Sequence, residues 1–219
     1  MTGVNGVVLD ECQRVAAALE SLAESSYAVE TNCPPWTLKE LVVHIWQSIQ
    51  LPKAFNTGEG TPTTAADWYR RGERETPEYR TKNVDQAKSA ASFFSSGADA
   101  AEALVAAGER FEERISECDL EALIRTANAP AISLRDFTIT RVISVAVHGL
   151  DVALSLRTEP FTSPSGQRVT CAVLEELLGA SSSELGWTDN EMMLWATGRR
   201  PPHEQRTPGW VVDRLPVIS

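Results

Sequence analysis

Apolar positions recur at helical spacing almost from the start of the chain. Val8, Val15, Leu19 and Leu22 form one stripe and predict a first helix over about residues 7–23. A second helix is predicted from Thr37 to about Leu51. There Thr37-Leu38-Lys39-Glu40 fits a capping box, in which a Thr hydroxyl and a Glu three residues on satisfy free backbone amides. Pro34 and Pro35 block an earlier start, and Pro52 interrupts the pattern at its end. The third helix is predicted over about residues 84–117, with a break expected at Gly97. The fourth follows Ser133-Leu134-Arg135-Asp136 and runs to about Arg157. A fifth covers about residues 168–178. A short sixth is capped by Thr188-Asp189-Asn190-Glu191 and stops at Gly198.

What lies between these stripes is mostly connection. Residues 57–80 are rich in Gly, Pro, Thr and charge and read as a long loop, with a turn of helix at Trp68-Tyr69; a loop of this length in a compact domain is often functional, for example as a lid. The tail after Arg200 carries four prolines and is expected to drape over the surface. No alternating β-branched run is bounded by turns on both sides, and no repeat appears at solenoid periods. The fold class is therefore all-α. The expected division is a helical bundle over residues 1–160 and a helical extension over 161–219 packed on it.

The fourth helix is the most informative. On a wheel of roughly 100° per residue its apolar residues, from Val142 to Leu154, cover most of the circumference, as expected of a buried helix. Arg141, Ser144, His148, Asp151 and Ser155 follow at spacings of 3 and 4 and share one face. This stripe is either a narrow solvent side or an inward polar face. Its short and ionisable residues favour the second, because exposed helix faces are usually coated with Glu and Lys. An inward polar face must be paired, hydrated or metal-bound.

His44 sits at the edge of the apolar stripe Leu38, Leu41, Val42, Ile45 and Ile49. Such a position lets its ring reach a cavity between helices, where His148 can meet it; the alternative is a core histidine bonded to a backbone carbonyl. His203, in the tail, is expected at the surface. Two neutral imidazoles suit a divalent ion such as zinc. Asp151, at i+3 from His148, or a water is then the expected third ligand.

Charge and cysteines narrow the setting. The 219 residues carry a net charge of −10, which repels phosphate backbones and argues against nucleic acid as a partner. Cys12, Cys33, Cys118 and Cys171 are far apart and form no CxxC pair, so reduced thiols are the simpler reading. The N-terminus lacks a basic start, and no run reaches the roughly 18 apolar residues of a membrane span. The expectation is a cytoplasmic protein with a small-molecule substrate and no membrane partner; a homodimer is left open.

Two stretches carry a resemblance. One runs from Cys33-Pro34-Pro35-Trp36-Thr37 to His44; the other, from Arg141 to Ala153, includes Ser144, His148 and Asp151. They resemble the DinB-like bundles of the mycothiol-dependent maleylpyruvate isomerase group. Leu194-Trp195-Ala196-Thr197-Gly198-Arg199 is similar to a C-terminal feature of many members. The resemblance implies a four-helix core and a metal held by a His of the second helix and a Glu-x-x-x-His pair of the fourth. Carried over, the ligands are His44 and His148, while Ser144 stands at the Glu position. It further implies a mycothiol-like low-molecular-weight thiol as co-substrate, bound as thiolate, in an isomerase or S-transferase acting on a small electrophile. Maleylpyruvate itself is not expected, because only about sixty residues follow the fourth helix.

The departure at Ser144 leaves three functions open. One is the metal-dependent thiol enzyme. The second is a metal-free enzyme in which Arg141, Ser144, His148 and Asp151 do acid–base work on a small molecule. The third is a non-catalytic ligand-binding protein. Arg141 is a candidate for a substrate carboxylate or for a pair with Asp136. Cys33 reads as an incidental cysteine, with a redox thiol as the alternative. Trp36 reads as a packing residue before the helix cap. Trp68 and Tyr69 are either a cover for a ligand or a surface turn.

Overall fold

The computed structural model describes residue 4, residues 6–70 and residues 76–218. Four helices make the core: α1 (Val7–Leu19), α2 (Leu38–Ser48), α5 (Gly97–Ser116) and α6 (Leu134–Leu156). Helices α1 and α2 each pack against both α5 and α6. Their inward residues, among them Val8, Leu41, Ile45, Leu104, Phe111 and Val145, are fully or almost fully buried. Thr37 caps α2 with both halves of the capping box formed.

Contrary to the expectation from uninterrupted apolar runs, helix α6 is long and apolar enough to cross a bilayer by length and composition, because its few polar residues are spaced out along one face. Here it is the central helix of the bundle, touching α1 and α2 on one side and α7 (Pro164–Leu178) on another. That explains an apolar surface on most of its circumference: it has neighbours nearly all round. Further along, α8 (Ser182–Leu185), α9 (Asp189–Ala196) and α10 (Gly209–Val212) complete the chain. Leu150, Leu174, Leu178, Met192, Met193 and Val211 form a second apolar cluster between α6, α7, α9 and α10. The proline-bearing tail is thus partly anchored, through Val211 and through the Val217 amide, which donates to the Ala196 carbonyl at 2.8 Å.

Three regions differ from the sequence expectation. The third helix is divided near the expected break at Gly97 into α4 (Pro77–Ala91) and α5, and the departure lies in where α4 begins. The break falls where Ser96 caps α5 and Gly97 packs against Tyr27; a Cβ at Gly97 would enter the tyrosine ring. Helix α4 starts earlier than expected, at Thr76-Pro77, a cap followed by a proline at the first helical position. Its first turns are polar and half-exposed or exposed, so no apolar period marks them.

The loop over 57–80 also contains α3 (Ala65–Tyr69), which packs on α6 and α7. Residues 71–75 of that loop lie outside the described residues. Finally, β1 (Asn56–Thr57), β2 (Leu123–Thr126) and β3 (Ala129–Ser133) form a small antiparallel sheet in the order β1-β2-β3, with Ile124 opposite Ile132. Strands of two to five residues, one of them reading Ala-Pro-Ala-Ile-Ser, are too short to show alternation.

Candidate functional site

The polar stripe of α6 faces inward. Arg141, Ser144, His148 and Ser155 are half-buried, and Asp151 is buried. Opposite them stands α2, whose cap directs the helix so that His44 reaches α6. The His44 and His148 rings meet edge to face with centroids 4.9 Å apart and planes at 87°. Trp36 lies face to face with His44 at 4.2 Å and edge-on to His148 at 6.1 Å. The residue before the cap is thus part of the site, a role its position as a packing residue did not reveal.

Asp151 is the hub behind His148. Its Oδ2 accepts from His148 Nδ1 at 3.0 Å. Arg199, just past α9, forks onto the same carboxylate, with Nε 3.1 Å from Oδ1 and Nη2 2.9 Å from Oδ2. Burial by itself would raise this carboxyl; the hydrogen bond from His148 and the charge of Arg199 outweigh it and hold Asp151 down at about 2. An ionised carboxylate beside Nδ1 keeps the imidazole proton there, which leaves Nε2 as the nitrogen free to accept one.

Cys33 lies close to both Asp151 and His148. Its sulfur, a His148 ring nitrogen and an Asp151 oxygen are all within 4.8 Å of one another. Burial and the Asp151 charge push the Cys33 thiol up to about 12, so it stays protonated.

Two openings reach these groups. One cavity, of about 1270 Å³, is lined by His44, His148, Ser144, Arg141, Trp68 and Tyr69, among others. A second, of about 530 Å³, holds His44 and His148 together with Cys33, Trp36, Arg199 and the tail residues Val217 and Ile218. The structure brings His44, His148, Ser144 and Arg141 to one wall. Arg141 donates to the Ser48 carbonyl at 2.7 Å, and its guanidinium lies over Phe137 (4.8 Å) and Trp68 (5.5 Å). Asp136, its candidate partner, accepts from the Ala65 amide and the Ser133 hydroxyl. Trp68 is buried, and the Tyr69 hydroxyl donates to the Thr140 carbonyl at 3.2 Å, so α3 is a fixed wall of the cavity. His203 is exposed, away from this group.

The ring spacing suits an ion between the histidines. Two imidazoles sharing one tetrahedral ion at the ~2.0–2.1 Å bond length place their centroids roughly 5 Å apart. The rest of the donor set does not fit a resident metal. Ser144 offers a neutral hydroxyl where an anion is needed. Asp151, the nearest carboxylate, already has Arg199 on both oxygens and His148 on one of them. With His44, His148 and Ser144 alone the set is one anionic ligand short; among the described residues the donors that do cluster are Cys33, His148 and Asp151, a group that leaves out His44.

A helical bundle with a paired-histidine pocket between α2 and α6 is the class this architecture defines. Residues 8–153 match the model of the mycothiol maleylpyruvate isomerase N-terminal domain, and the chain belongs to that family. Comparison with curated proteins and with solved structures gives no match. Arg199 lies beyond the matched stretch. In the sequence it stands only within the C-terminal pattern of residues 194–199; its position after the helix-ending Gly198 was the available signal.

Proposed function

We propose that this protein is a low-molecular-weight-thiol-dependent isomerase or S-transferase that activates its thiol by general-base catalysis, with His148 as the base. The observation that carries the reading is the hydrogen bond from His148 Nδ1 to Asp151, which leaves Nε2 for the proton of a bound thiol. Family membership supports a thiol of the mycothiol kind as co-substrate.

The chemistry balances within the site. The thiol S–H bond breaks and its proton goes to His148 Nε2. The sulfur lone pair forms an S–C bond to an activated double bond of the electrophile, and the π electrons move to the adjacent carbonyl oxygen as an enolate. The proton on Nε2 then returns to the adduct, giving S-transfer. Alternatively the enolate, now free to rotate about a single bond, expels the thiolate and re-forms the double bond in the other geometry, and the thiolate takes its proton back from Nε2, giving isomerisation. Ser144 shares the cavity wall with His148 and suits a carbonyl oxygen of the electrophile; Arg141, held on the same wall by Ser48 and Thr140, lends its positive charge to a carboxylate there. Trp36 fixes the plane of His44 beside the reacting groups.

The test uses a small thiol and a panel of activated alkenes, with mass detection of adducts and isomers. Wild-type protein should turn over; His148→Gln should lose at least 10²-fold, the usual range for a general base. Equal rates in the two would sink the reading.

A divalent ion such as zinc at His44 and His148 is the second reading; the 4.9 Å ring spacing is compatible with it, and since Asp151 is held by Arg199 and His148, water would complete the set. Metal analysis of freshly purified protein decides between them: stoichiometric metal that survives dialysis supports the second.

A further inference from the structure

The matched family stretch ends at residue 153, yet the group that fixes Asp151 comes from far later in the chain. Gly198, at φ +70°, turns the backbone out of α9. Arg199 then points back toward α6. Its Nη1 donates to the Thr197 carbonyl at 2.8 Å, and its Nε and Nη2 take the two oxygens of Asp151. Only 9% of its side chain is exposed, and 2% of that of Asp151.

We infer that Arg199 is a positioning residue for His148. Through Asp151 it fixes the tautomer and the direction of the imidazole, so the site is completed by the C-terminal segment and not by the matched bundle alone. A carboxylate held by one imidazole can rotate about its own side-chain bonds. A planar fork on both oxygens removes that freedom, because the guanidinium and the carboxylate must be coplanar to make two bonds. Oδ2 is then held in line with Nδ1. The fork is itself anchored: Met192, Met193 and Ala196 of α9 are fully buried against α6 and α7. The backbone that carries Arg199 is thus tied to the packing of α9.

The catalytic meaning of this inference rests on the proposed role of His148, but its geometry is tested without turnover. Long-range ¹H–¹⁵N correlation of the imidazoles reports which ring nitrogen of His148 carries the proton. Wild-type protein should give the Nδ1–H tautomer. Arg199→Met should give a mixture of tautomers, and added guanidinium ion should restore the wild-type pattern. Arg199→Lys keeps the charge but not the fork and should fall between the two. Asp151→Asn should disturb the signal as Arg199→Met does, and the double variant should be no worse than either single. An unchanged His148 signal in Arg199→Met, or additive effects in the double variant, overturns the inference. Should Arg199→Met fail to fold, Arg199→Lys carries the test, and a wild-type tautomer there is equally fatal. A protein without thiol chemistry whose His148 still responds to Arg199 would refute the proposed function and leave this inference standing.

Discussion

His44 and His148 meet edge to face across the α2–α6 boundary, 4.9 Å between ring centroids, with no carboxylate on the helical turn preceding His148. Ser144 occupies that turn and shares the cavity wall with both rings. The first prediction follows from this deficit. Ser144→Glu adds an anionic oxygen on the same face of α6 as His148, one turn away. The variant should take up zinc in equimolar amount and melt at higher temperature in its presence, while wild type responds weakly. Ligand linkage sets the scale: free metal at a hundredfold excess over Kd stabilises by about 2.7 kcal/mol. Metal analysis and thermal melts with and without zinc check it; identical behaviour of variant and wild type would show that more than one ligand is missing.

The pairing of the two histidines was legible because helical periodicity places residues on faces, and two of three histidines fell where faces meet. The same logic exposed the α6 stripe. It did not reach Arg199, since a residue in a nonhelical connection has no face to be read from; only the packing of α9 brings it to Asp151. Trp36 was hidden differently. A large apolar residue before a helix cap is expected to pack, and it does, but the surface it packs on is the His44 ring. The short sheet left no trace either, because strands of this length are set by their partners' hydrogen bonds more than by their own composition.

Gly97 offers a test of the break between α4 and α5. Its position accepts no side chain because the Tyr27 ring occupies the space a Cβ would take. Tyr27 cannot yield easily, being buried with its hydroxyl bonded to the Leu19 carbonyl at 3.2 Å. Gly97→Ala should destabilise by about 1–3 kcal/mol through overpacking, despite the higher helix propensity of alanine. Adding Tyr27→Ala should make the two losses clearly less than additive, which urea denaturation of the four proteins measures.

The Cys33 thiol should be a poor nucleophile despite facing a cavity. With its titration pushed up to about 12, the thiolate at pH 8 is on the order of 10³-fold scarcer than in a free cysteine. A more basic thiolate attacks faster, which offsets part of this, so alkylation should be roughly 10²-fold slower. Iodoacetamide labelling followed by peptide mass spectrometry should show the rate at Cys33 still climbing tenfold per pH unit at pH 9–10, where a free thiol levels off. A plateau near pH 8.5 would mean that Asp151 and burial do not hold the proton.

Glu11 contributes a pH dependence to folding near neutrality. It is a buried carboxyl on α1 that accepts from the Ser163 amide at 3.0 Å, at the start of α7. Burial raises it from the ordinary 4.5 to about 7; the bonds from Ser163 oppose this, Asp10 adds a little repulsion and Arg14 a little attraction. Because the folded protein holds this proton more tightly than the unfolded chain, the associated stability is fully present below pH 4.5. It is lost as the pH rises toward and through 7. At 1.36 kcal/mol per pH unit the gap amounts to about 3 kcal/mol. Glu11→Gln keeps an oxygen for the Ser163 amide and carries no charge at any pH. It should be more stable than wild type at pH 8 and close to it at pH 4.5, with the slope between them flattened. Urea denaturation at both values measures this directly. Parallel curves for the two proteins would mean that Glu11 stays ionised in the fold, held there by the start of α7.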